Sequence, residues 1–426
     1  MLNLWIYNYT FEFEISNRLY LINNHTAPWY YFNRCANYFL PVIAENDIIL
    51  CYEKPVHIHL KHLENTIGQL PHYLELNHPF LNNQLNYQSS IKIIKEKYPK
   101  ERINLKPWGW SRELIKLNNL LSNQLLSVTY NTIKILNSKL TSTYLREVLL
   151  KNSYQIASSI ISTNVKTLQS ELKTTINDFK SVYLKDFLGV SGNLMVPLSL
   201  QDDIEIFIKR KKKFFNNNIT NLLVEKKIDI EKEFSLQFQF IDNQGHFVAI
   251  TGLITSKKGQ YLGNIVNWKN DIDIPSLICD IKPITDYILD MGYIGNLGFD
   301  FVKTKQGQVK MLEINARYTM GIVAHHWVSL LDTKNPGIFI NTFFKNTSAP
   351  VIDEILMLIK KIEISQNCKI VLVHYVRHAT SQSNHLITLA ISASSPSKLQ
   401  TALKTIFKTV SSKSVIYKMV KNNSLF

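Results

Sequence analysis

A β-hairpin centred near residue 306 constrains the fold of this chain more than any other segment. G-F-D-F-V at 298–302 and L-E-I-N-A-R at 312–317 have the pattern of strands, and T-K-Q-G-Q between them is a turn signal. In this pairing Asp300 lies directly opposite Glu313, where Cβ atoms are only about 5 Å apart and like charges repel. A protein seldom places two carboxylates together beside an amide unless a cation lies between them.

Side chains alternate along the two strands and separate a polar face from an apolar one. Glu313, Asn315 and Arg317 share one face, because residues two apart in a strand point the same way. The apolar residues predicted on the opposite face, in the core, are Leu297, Phe299, Phe301, Leu312 and Ile314. Oxygen ligands of this kind suit Mg²⁺, which keeps waters and phosphate oxygens in its remaining positions. The hairpin therefore predicts a magnesium site that also receives nucleotide phosphates.

The length and composition are those of two or three globular domains. The chain has 426 residues, 45% of them hydrophobic, and can bury ample core. Its four cysteines are scattered without a C-x-x-C pair, which argues against a structural zinc site or a disulfide framework and favours a reducing compartment. The N-terminus lacks a basic leader pattern, and no apolar run reaches about 18 residues. We therefore expect a soluble cytoplasmic protein with no membrane partner.

The formal net charge of +15 at pH 7 has two explanations. A basic face could neutralise nucleic-acid phosphates, or abundant Lys, Asn and Ile could reflect genomic base composition. The one prominent basic run, 209–213, closes a predicted helix at 202–215 that opens with acidic residues, as a helix macrodipole favours. No arginine–aromatic interleaving follows this run, so we expect no nucleic-acid partner.

Turn signals and apolar periodicity divide the chain into three predicted domains. The N-terminal α/β domain, 1–125, contains K-P-W-G-W-S at 106–111, which leads into a helix capped by Ser111. The central domain, 126–346, includes the hairpin and is followed by a small α+β module, 347–426. The fold class is therefore α+β or α/β. Predicted strands lie at 181–187, 221–228, 234–242, 246–254, 369–376, 385–392 and 414–420, and predicted helices at 275–291 and 396–409.

A candidate phosphate-binding segment precedes the hairpin at 182–193, V-Y-L-K-D-F-L-G-V-S-G-N. A strand presents Lys185, and a loop with Gly189, Ser191 and Gly192 follows. Small residues let backbone N–H groups approach a phosphate, and the lysine supplies a positive charge. The segment lacks the G-K-S/T of a P-loop, and a glycine-rich turn after a strand is commonly only a turn.

A candidate nucleoside-binding segment follows at 222–236, L-L-V-E-K-K-I-D-I-E-K-E-F-S-L. An apolar strand stops at Glu225, the chain continues through 226–228, and a second strand begins after Glu233. Backbone groups of such a linker can hydrogen-bond an adenine edge, and a carboxylate can accept hydrogen bonds from ribose hydroxyls. The alternative is that these residues are solvated charges between two strands.

Together and in this order, these segments resemble the ATP-grasp superfamily over roughly residues 135 to 345, about half of the chain. The resemblance implies two α+β subdomains that hold ATP between them, preceded by an N-terminal α/β pre-grasp domain. The chain departs from the family pattern in three places. Asp186 stands where a proline is common, Asp300 stands where many members have glutamate, and the loop at 189–193 has few glycines.

The resemblance implies a role in ATP binding for each upstream residue. Lys185 would contact the α- and β-phosphates, and Lys139 at a helix start would be an earlier phosphate-facing lysine. The loop that closes over the phosphates would contain Gly189, Ser191 and Gly192. The adenine hinge would comprise Glu225, Lys226, Lys227 and Ile228. Glu233 would bind the ribose.

The resemblance also implies roles for the polar face of the hairpin. Asp300, Glu313 and Asn315 would be ligands of Mg²⁺, with Mn²⁺ as an alternative ion. Two ions about 4 Å apart could bridge the phosphate oxygens. Arg317 would lie near the transferred phosphate and acyl group, and it is, with Lys185, a candidate catalytic residue.

The implied chemistry is ATP-dependent ligation of a carboxylate to an amine. The carboxylate attacks the γ-phosphorus to give an acyl phosphate, and an amine then displaces phosphate. P-W-G-W-S, E-I-N-A-R-Y-T-M-G and the C-terminal module resemble peptide ligases of specialised metabolism, so we expect small-molecule or peptide substrates and a peptide or amide product. The alternatives are a kinase of the same fold acting on an alcohol, and a non-catalytic nucleotide- or nucleic-acid-binding protein. A homodimer is one candidate assembly.

Several histidines stand outside this pattern. His57, His59 and His62 have spacing that could suit zinc, but no acidic or cysteine partner is near in sequence, so surface or core positions are favoured. For His325 and His326 two interpretations stay open, the acceptor side of the site and helix packing. A weaker candidate group for a substrate carboxylate comprises His374, Arg377 and His378.

Overall fold

The structure is a computed structural model of the 426-residue chain. It describes residues 2–8, 11–16, 35–51, 53–75, 80–81, 84–85, 87–122, 126–162, 165–188, 195–210, 221–256, 261–344, 352–377 and 385–411. None of the helices within these ranges is both long enough and apolar enough to cross a lipid bilayer.

The described residues form both strands and helices, in runs of one to four of a kind. The strands are Leu2–Ile6, Ile48–Cys51, His72–Glu75, Phe80–Leu81, Gln84–Leu85, Ile103–Pro107, Ser158–Ser162, Ser181–Lys185, Met195–Ser199, Asn221–Lys226, Ile230–Ile241, Gln244–Thr255, Tyr261–Val266, Gly295–Thr304, Val309–Asn315, Gly337–Phe344, Cys368–Arg377 and His385–Ala393. The α-helices are Phe11–Ile15, His57–Ile67, Tyr87–Lys97, Arg112–Ser122, Tyr130–Leu136, Lys139–Leu149, Val165–Phe179, Ile204–Arg210, Ile274–Asp280, Lys282–Asp290, Met320–Leu331, Ile352–Gln366 and Pro396–Ser411, and 3₁₀ helices lie at Cys35–Val42 and Asn152–Tyr154.

Contacts within the chain define two compact units. Unit 1 comprises Met1–Tyr130, Ala249–Asp271 and Arg317–Phe426. Unit 2 comprises Asn131–Val248 and Ile272–Ala316. This division describes packing, whereas the three domains at 1–125, 126–346 and 347–426 remain a prediction about folding units.

The N-terminal part of unit 1 is a parallel α/β layer. Its sheet has the order His72–Glu75, Ile48–Cys51, Leu2–Ile6, Ile103–Pro107, with all neighbours parallel. Helix Arg112–Ser122 packs its leucines against the apolar side chains of this sheet. Ser111 accepts a hydrogen bond from the Leu114 N–H at 3.3 Å, so the predicted helix cap is confirmed.

The remainder of unit 1 is an antiparallel sheet covered on its two faces. The sheet joins Tyr261–Val266, Gly337–Phe344, His385–Ala393 and Cys368–Arg377 in that order. Helices Ile352–Gln366 and Pro396–Ser411 pack on isoleucine-rich side chains of this sheet. Helix Met320–Leu331 packs its Trp327 and Val328 with a second set of sheet residues, which includes Phe339 and Ala390.

Unit 2 carries two antiparallel sheets. The first has the order Ser158–Ser162, Asn221–Lys226, Ser181–Lys185, Met195–Ser199. Helix Val165–Phe179, which was not predicted, buries Leu168, Leu172 and Ile176 on it. The second sheet pairs Val309–Asn315 with Gly295–Thr304, and that strand with Ile230–Ile241. This second sheet presents the hairpin.

Some predicted elements have different bounds. The single helix predicted at 275–291 is two helices, because Pro283 lies in the first turn of Lys282–Asp290 and lacks the N–H that would continue the preceding helix. The strand predicted to end at residue 228 ends at Lys226. The helix predicted at 202–215 is described only over Ile204–Arg210. The strand predicted at 414–420 lies outside the described residues.

Candidate active site

The hairpin pairs as predicted at its polar end. Asp300 and Glu313 are direct Cα partners, and Gly298 is opposite Asn315. The turn uses Gly307 with φ +79°, a left-handed conformation that glycine adopts without strain. The predicted apposition of the two carboxylates is therefore confirmed.

A β-bulge changes the predicted apolar face. Asp300 pairs with Glu313, but the next residue, Phe301, pairs with Met311, so Leu312 is an extra residue on its strand. Met311 is consequently fully buried, whereas Leu312 is only half-buried. The prediction that Leu312 belongs to the core is wrong, because a strict alternation of two does not anticipate the extra residue.

Each hairpin carboxylate already has a polar partner. The Lys139 ammonium lies 2.7 Å from Glu313 Oε2. The Asn315 side-chain amide donates to Asp300 Oδ2 at 2.8 Å. The side chains of Lys139 and Glu313 are both partly exposed, and the ammonium places a positive charge beside Glu313.

This donor set fits a divalent ion that takes oxygen ligands. Within the residues that the structure describes, no group of three or more His, Cys, Asp or Glu side chains is placed to bind a metal. Asp300 and Glu313 supply two carboxylates and Asn315 an amide, which suits Mg²⁺ completed by waters and phosphate oxygens. The Lys139 ammonium shows that a positive charge is accommodated there.

A second charged group lies on the other sheet of unit 2. Lys185 is the last residue of its strand, and Leu223 is opposite it, so Glu225 is a diagonal neighbour on the same face. Lys185 Nζ is hydrogen-bonded to Glu225 Oε2, and Arg146 Nη2 lies 2.9 Å from Glu225 Oε1. Burial alone would raise the pKa of the Glu225 carboxyl, but the two cations outweigh burial and lower that pKa. The buried carboxylate is therefore held in its charged form.

The predicted adenine hinge leads out of this group. The Lys226 N–H donates to the Ala157 carbonyl and the Lys227 N–H to the Ser181 carbonyl, both at 2.8 Å. These two N–H groups are therefore hydrogen-bonded within the protein. The Glu225 side chain points into the ion pairs and not toward solvent.

The predicted ribose residue lies on the second sheet. Ser235 is opposite Asp300 in the sheet register, and Glu233 is two residues from Ser235 on the same strand. Strand alternation therefore puts Glu233 on the face that carries Asp300 and Glu313. Glu233 is half-buried.

Arg317 follows the hairpin directly and belongs to unit 1. Its guanidinium forms an ion pair with Glu12 and donates from Nη1 to the Tyr318 carbonyl at 3.0 Å. The neighbouring Tyr318 ring stacks on Trp108, with ring centroids 6.1 Å apart. The P-W-G-W-S segment is thus packed beside the predicted catalytic arginine.

Sequence reasoning missed two residues of these groups, and four predicted residues lie outside the described ones. Arg146 and Glu12 were not anticipated, because nothing in their local sequence distinguishes them from other helix residues. Gly189, Ser191 and Gly192 of the predicted phosphate loop lie outside the described residues, as does His378.

The three clustered histidines do not form a metal site. His59 Nε2 lies 2.8 Å from the Leu372 carbonyl, and His62 Nε2 accepts from the Leu372 N–H at 3.0 Å. His57 is exposed. The favoured interpretation as surface or core residues is confirmed. His325 and His326 lie in helix Met320–Leu331, where burial lowers both pKa values, that of His326 to about 4.

Solved structures share this architecture over nearly the whole chain. The biotin carboxylase domain of 2-oxoglutarate carboxylase from Hydrogenobacter thermophilus matches with a TM-score of 0.59 and 11% identity, covering 99% of this chain and 93% of that one. Biotin carboxylase from Campylobacter jejuni matches with a TM-score of 0.59 and 12% identity, covering 99% and 95%. N5-carboxyaminoimidazole synthetase from Staphylococcus aureus, complexed with ADP, matches with a TM-score of 0.53 and 12% identity, covering 96% and 97%.

The chain has an ATP-grasp fold, as the resemblance predicted. At these identities the likeness is one of fold. No protein-family model matches the sequence, and a search of curated proteins found no match.

Proposed function

We propose that this chain is an ATP-dependent ligase that joins a carboxylate to an amine through an acyl phosphate, forming a peptide or amide bond. The observation that carries the proposal is the Asp300–Glu313 pair, with the Lys139 ammonium against it. The fold supports it, because the similar structures include a synthetase complexed with ADP and a carboxylase domain complexed with MgADP.

The two site lysines are suited to bind ATP phosphates. Lys139 and Lys185 each hold a carboxylate, Glu313 and Glu225 respectively. Phosphate oxygens could replace these carboxylates as partners without burying an unpaired charge. The proposed loop over the phosphates contains Gly189, Ser191 and Gly192.

We place the nucleoside on the remaining predicted residues. The adenine hinge would be Glu225, Lys226, Lys227 and Ile228, contacted through backbone groups. Glu233 would accept hydrogen bonds from the ribose, since it shares a face with the hairpin carboxylates.

The proposed metal ligands are Asp300, Glu313 and Asn315, with two Mg²⁺ ions as the expected number. The ions would neutralise phosphate charge and orient the γ-phosphate when bound. Asn315 orients Asp300, because its amide donates to that carboxylate.

The reaction is a double displacement. A carboxylate oxygen of the substrate attacks the γ-phosphorus, the bond to the ADP oxygen breaks, and an acyl phosphate forms. The amine nitrogen then attacks the acyl carbon, phosphate leaves, and the nitrogen loses a proton. Arg317, with its charged guanidinium, would bind the transferred phosphate and acyl oxygens. Lys185 would stabilise the phosphates that carry the developing charge.

We further propose small-molecule or peptide substrates, a cytoplasmic location and three folding domains at 1–125, 126–346 and 347–426. Substrate selection would fall to the N-terminal domain and the C-terminal module. A homodimer would be detected by light scattering of the purified chain.

An assay with ATP, hydroxylamine and a panel of amino acids and short peptides tests the reaction. A ligase gives hydroxamate, ADP and phosphate. Mass spectrometry of the reaction without hydroxylamine then identifies the peptide or amide product. A phosphorylated alcohol in place of hydroxamate would overturn ligation in favour of phosphotransfer. Asp286→Asn, which alters an exposed helix ion pair with Lys282, is the matched control for substitutions of the hairpin carboxylates.

A further inference from the structure

The outer edge of the hairpin strand is bonded by side chains of one helical segment. Strand Val309–Asn315 is the last of its sheet, and such an edge has unpaired backbone groups. The Ala316 N–H donates to Asn137 Oδ1 and the Ile314 N–H to Ser142 Oγ, both at 3.0 Å. These contacts attach helix Lys139–Leu149, and the turn residue Asn137 just before it, to the strand that carries Glu313.

Arg146 adds a third side-chain hydrogen bond to this strand edge, next to the bulge. Its Nη1 donates to the Met311 carbonyl at 2.8 Å. Met311 is the residue before the extra Leu312, where the bulge disrupts the regular ladder. The Arg146 contact therefore stabilises the local geometry that brings Glu313 opposite Asp300.

The other arm of the same guanidinium reaches the second charged group. Arg146 Nη2 lies 2.9 Å from Glu225 Oε1, and Arg146 is fully buried. Glu225 in turn holds Lys185. The planar Arg146 side chain thus bonds both the hairpin, at the Met311 carbonyl, and the Glu225 carboxylate that pairs with Lys185. A lysine side chain cannot reproduce this geometry.

This arrangement has an energetic consequence when a phosphate replaces Glu225 as the partner of Lys185. Glu225 would then lose one cation while remaining buried, and an unpaired buried charge is strongly unfavourable. Arg146 remains as its counterion, so Lys185 can move to the phosphate while Glu225 stays compensated.

We propose that Arg146 is a positioning residue for the ligation reaction. Through the Met311 carbonyl and the Glu225 carboxylate, it couples the hairpin that carries Glu313 to Lys185. The proposal deepens the proposed function and rests on it. Arg146 touches neither nucleotide nor substrate in this scheme.

The test compares Arg146→Met with Arg146→Lys. Arg146→Met removes both arms, and we expect kcat to fall by about 10²-fold, the size of effect that misplaced groups cause. Arg146→Lys keeps a charge but can serve one partner, so we expect an intermediate kcat. Lys151→Met, which removes an exposed lysine paired with Asp280, is the matched control and should leave kcat unchanged.

A pH profile separates positioning from a loss of folded protein. In Arg146→Met, Glu225 keeps only Lys185, so its pKa should rise and the acid limb of kcat should move to higher pH. The double variant Arg146→Met/Glu225→Gln removes the titrating carboxylate and should lose this shifted limb. It also tests folding if Arg146→Met fails to fold, because a neutral glutamine at 225 leaves no buried carboxylate deprived of its arginine.

The proposal is overturned if folded Arg146→Met has the kcat and acid limb of the unaltered chain. Failure of the proposed function is distinguishable, because no acid would then give hydroxamate with the unaltered chain. In that event ADP affinity, measured by fluorescence of a labelled ADP, still tests the link through Lys185. Equal affinities of the unaltered chain and folded Arg146→Met would overturn it, and about tenfold weaker binding by the variant would support it.

Discussion

Two groups of ionisable side chains, one in each unit, differ in how their charge is compensated. The charged cluster of unit 2 (Lys139, Arg146, Lys185, Glu225 and Glu313) pairs its cations with its carboxylates. The histidine cluster of unit 1 (His59, His62 and His374) has lowered pKa values, chiefly because burial disfavours the imidazolium form. Burial alone thus does not mark a functional group, and the partner decides.

The two clusters also differ in whether their side chains can exchange one partner for another. A lysine held by a carboxylate can take a phosphate in its place, since both partners are anions. His59, by contrast, faces the Leu372 carbonyl through Nε2, so that nitrogen carries the proton and fixes helix His57–Ile67 on strand Cys368–Arg377. His374 lies edge-on to the Tyr38 ring, with centroids 4.6 Å apart. The histidine cluster is accordingly assigned to packing.

The largest expected effect is on activity and separates the two clusters directly. Asp300→Asn with Glu313→Gln removes the charge of the proposed metal ligands, and we expect hydroxamate formation to fall by about 10³-fold. Its thermal midpoint should change little, because the lost Lys139 ion pair is partly exposed and the repulsion between the carboxylates also disappears. Folded His59→Gln should retain activity. Equal losses in both variants would contradict the contrast.

The next effect concerns stability. Glu225→Gln leaves Arg146 without its carboxylate partner, and we expect the free energy of unfolding to fall by about 3–5 kcal/mol. Urea denaturation measures it. Asp286→Asn removes the carboxylate of an exposed pair and should cost less than about 1 kcal/mol. Similar midpoint shifts in the two variants would show that the Glu225 pairs contribute no more than surface pairs.

The third effect is on the pH dependence of stability. The two clusters should lower stability in different pH ranges. Unfolded His59 gains a proton below about pH 6.5, but folded His59 does so only near its pKa of about 4. Stability should therefore fall as pH decreases between these values, by up to about 3 kcal/mol, since one pKa unit corresponds to about 1.4 kcal/mol. Glu225, whose pKa is lowered, should contribute a separate loss only below about pH 4.5.

His59→Gln tests this assignment, because glutamine keeps a donor for the Leu372 carbonyl but does not titrate. Unfolding free energies measured from pH 7 to 4 should flatten in the variant. His62 and His374 titrate in the same direction and should leave a residual slope. An unchanged slope would assign the acid sensitivity to other groups.

The hairpin shows which features were predictable from sequence. Strand alternation and the turn at Gly307 were sufficient to pair Asp300 with Glu313, because both rules depend only on residues within about ten positions of the turn. The bulge at Leu312 was not, since one inserted residue leaves no local signal. Arg146 was missed for a different reason: its partners Glu225 and Met311 are 79 and 165 positions away along the chain. Long-range contacts of this kind follow from the fold and not from local pattern.

The smallest expected effect sharpens the comparison from inside unit 2. Ser142 is buried, and its hydroxyl accepts from the Ile314 N–H at 3.0 Å without any charge involved. Ser142→Ala leaves this N–H unpaired, and we expect a loss of about 1–2 kcal/mol in unfolding free energy, below that of Glu225→Gln. Ser170→Ala, at an exposed serine bonded to the Thr167 carbonyl, is the control and should cost less than about 0.5 kcal/mol. If Ser142→Ala costs as much as Glu225→Gln, then attachment of the strand edge, and not charge pairing, accounts for the stability of this region.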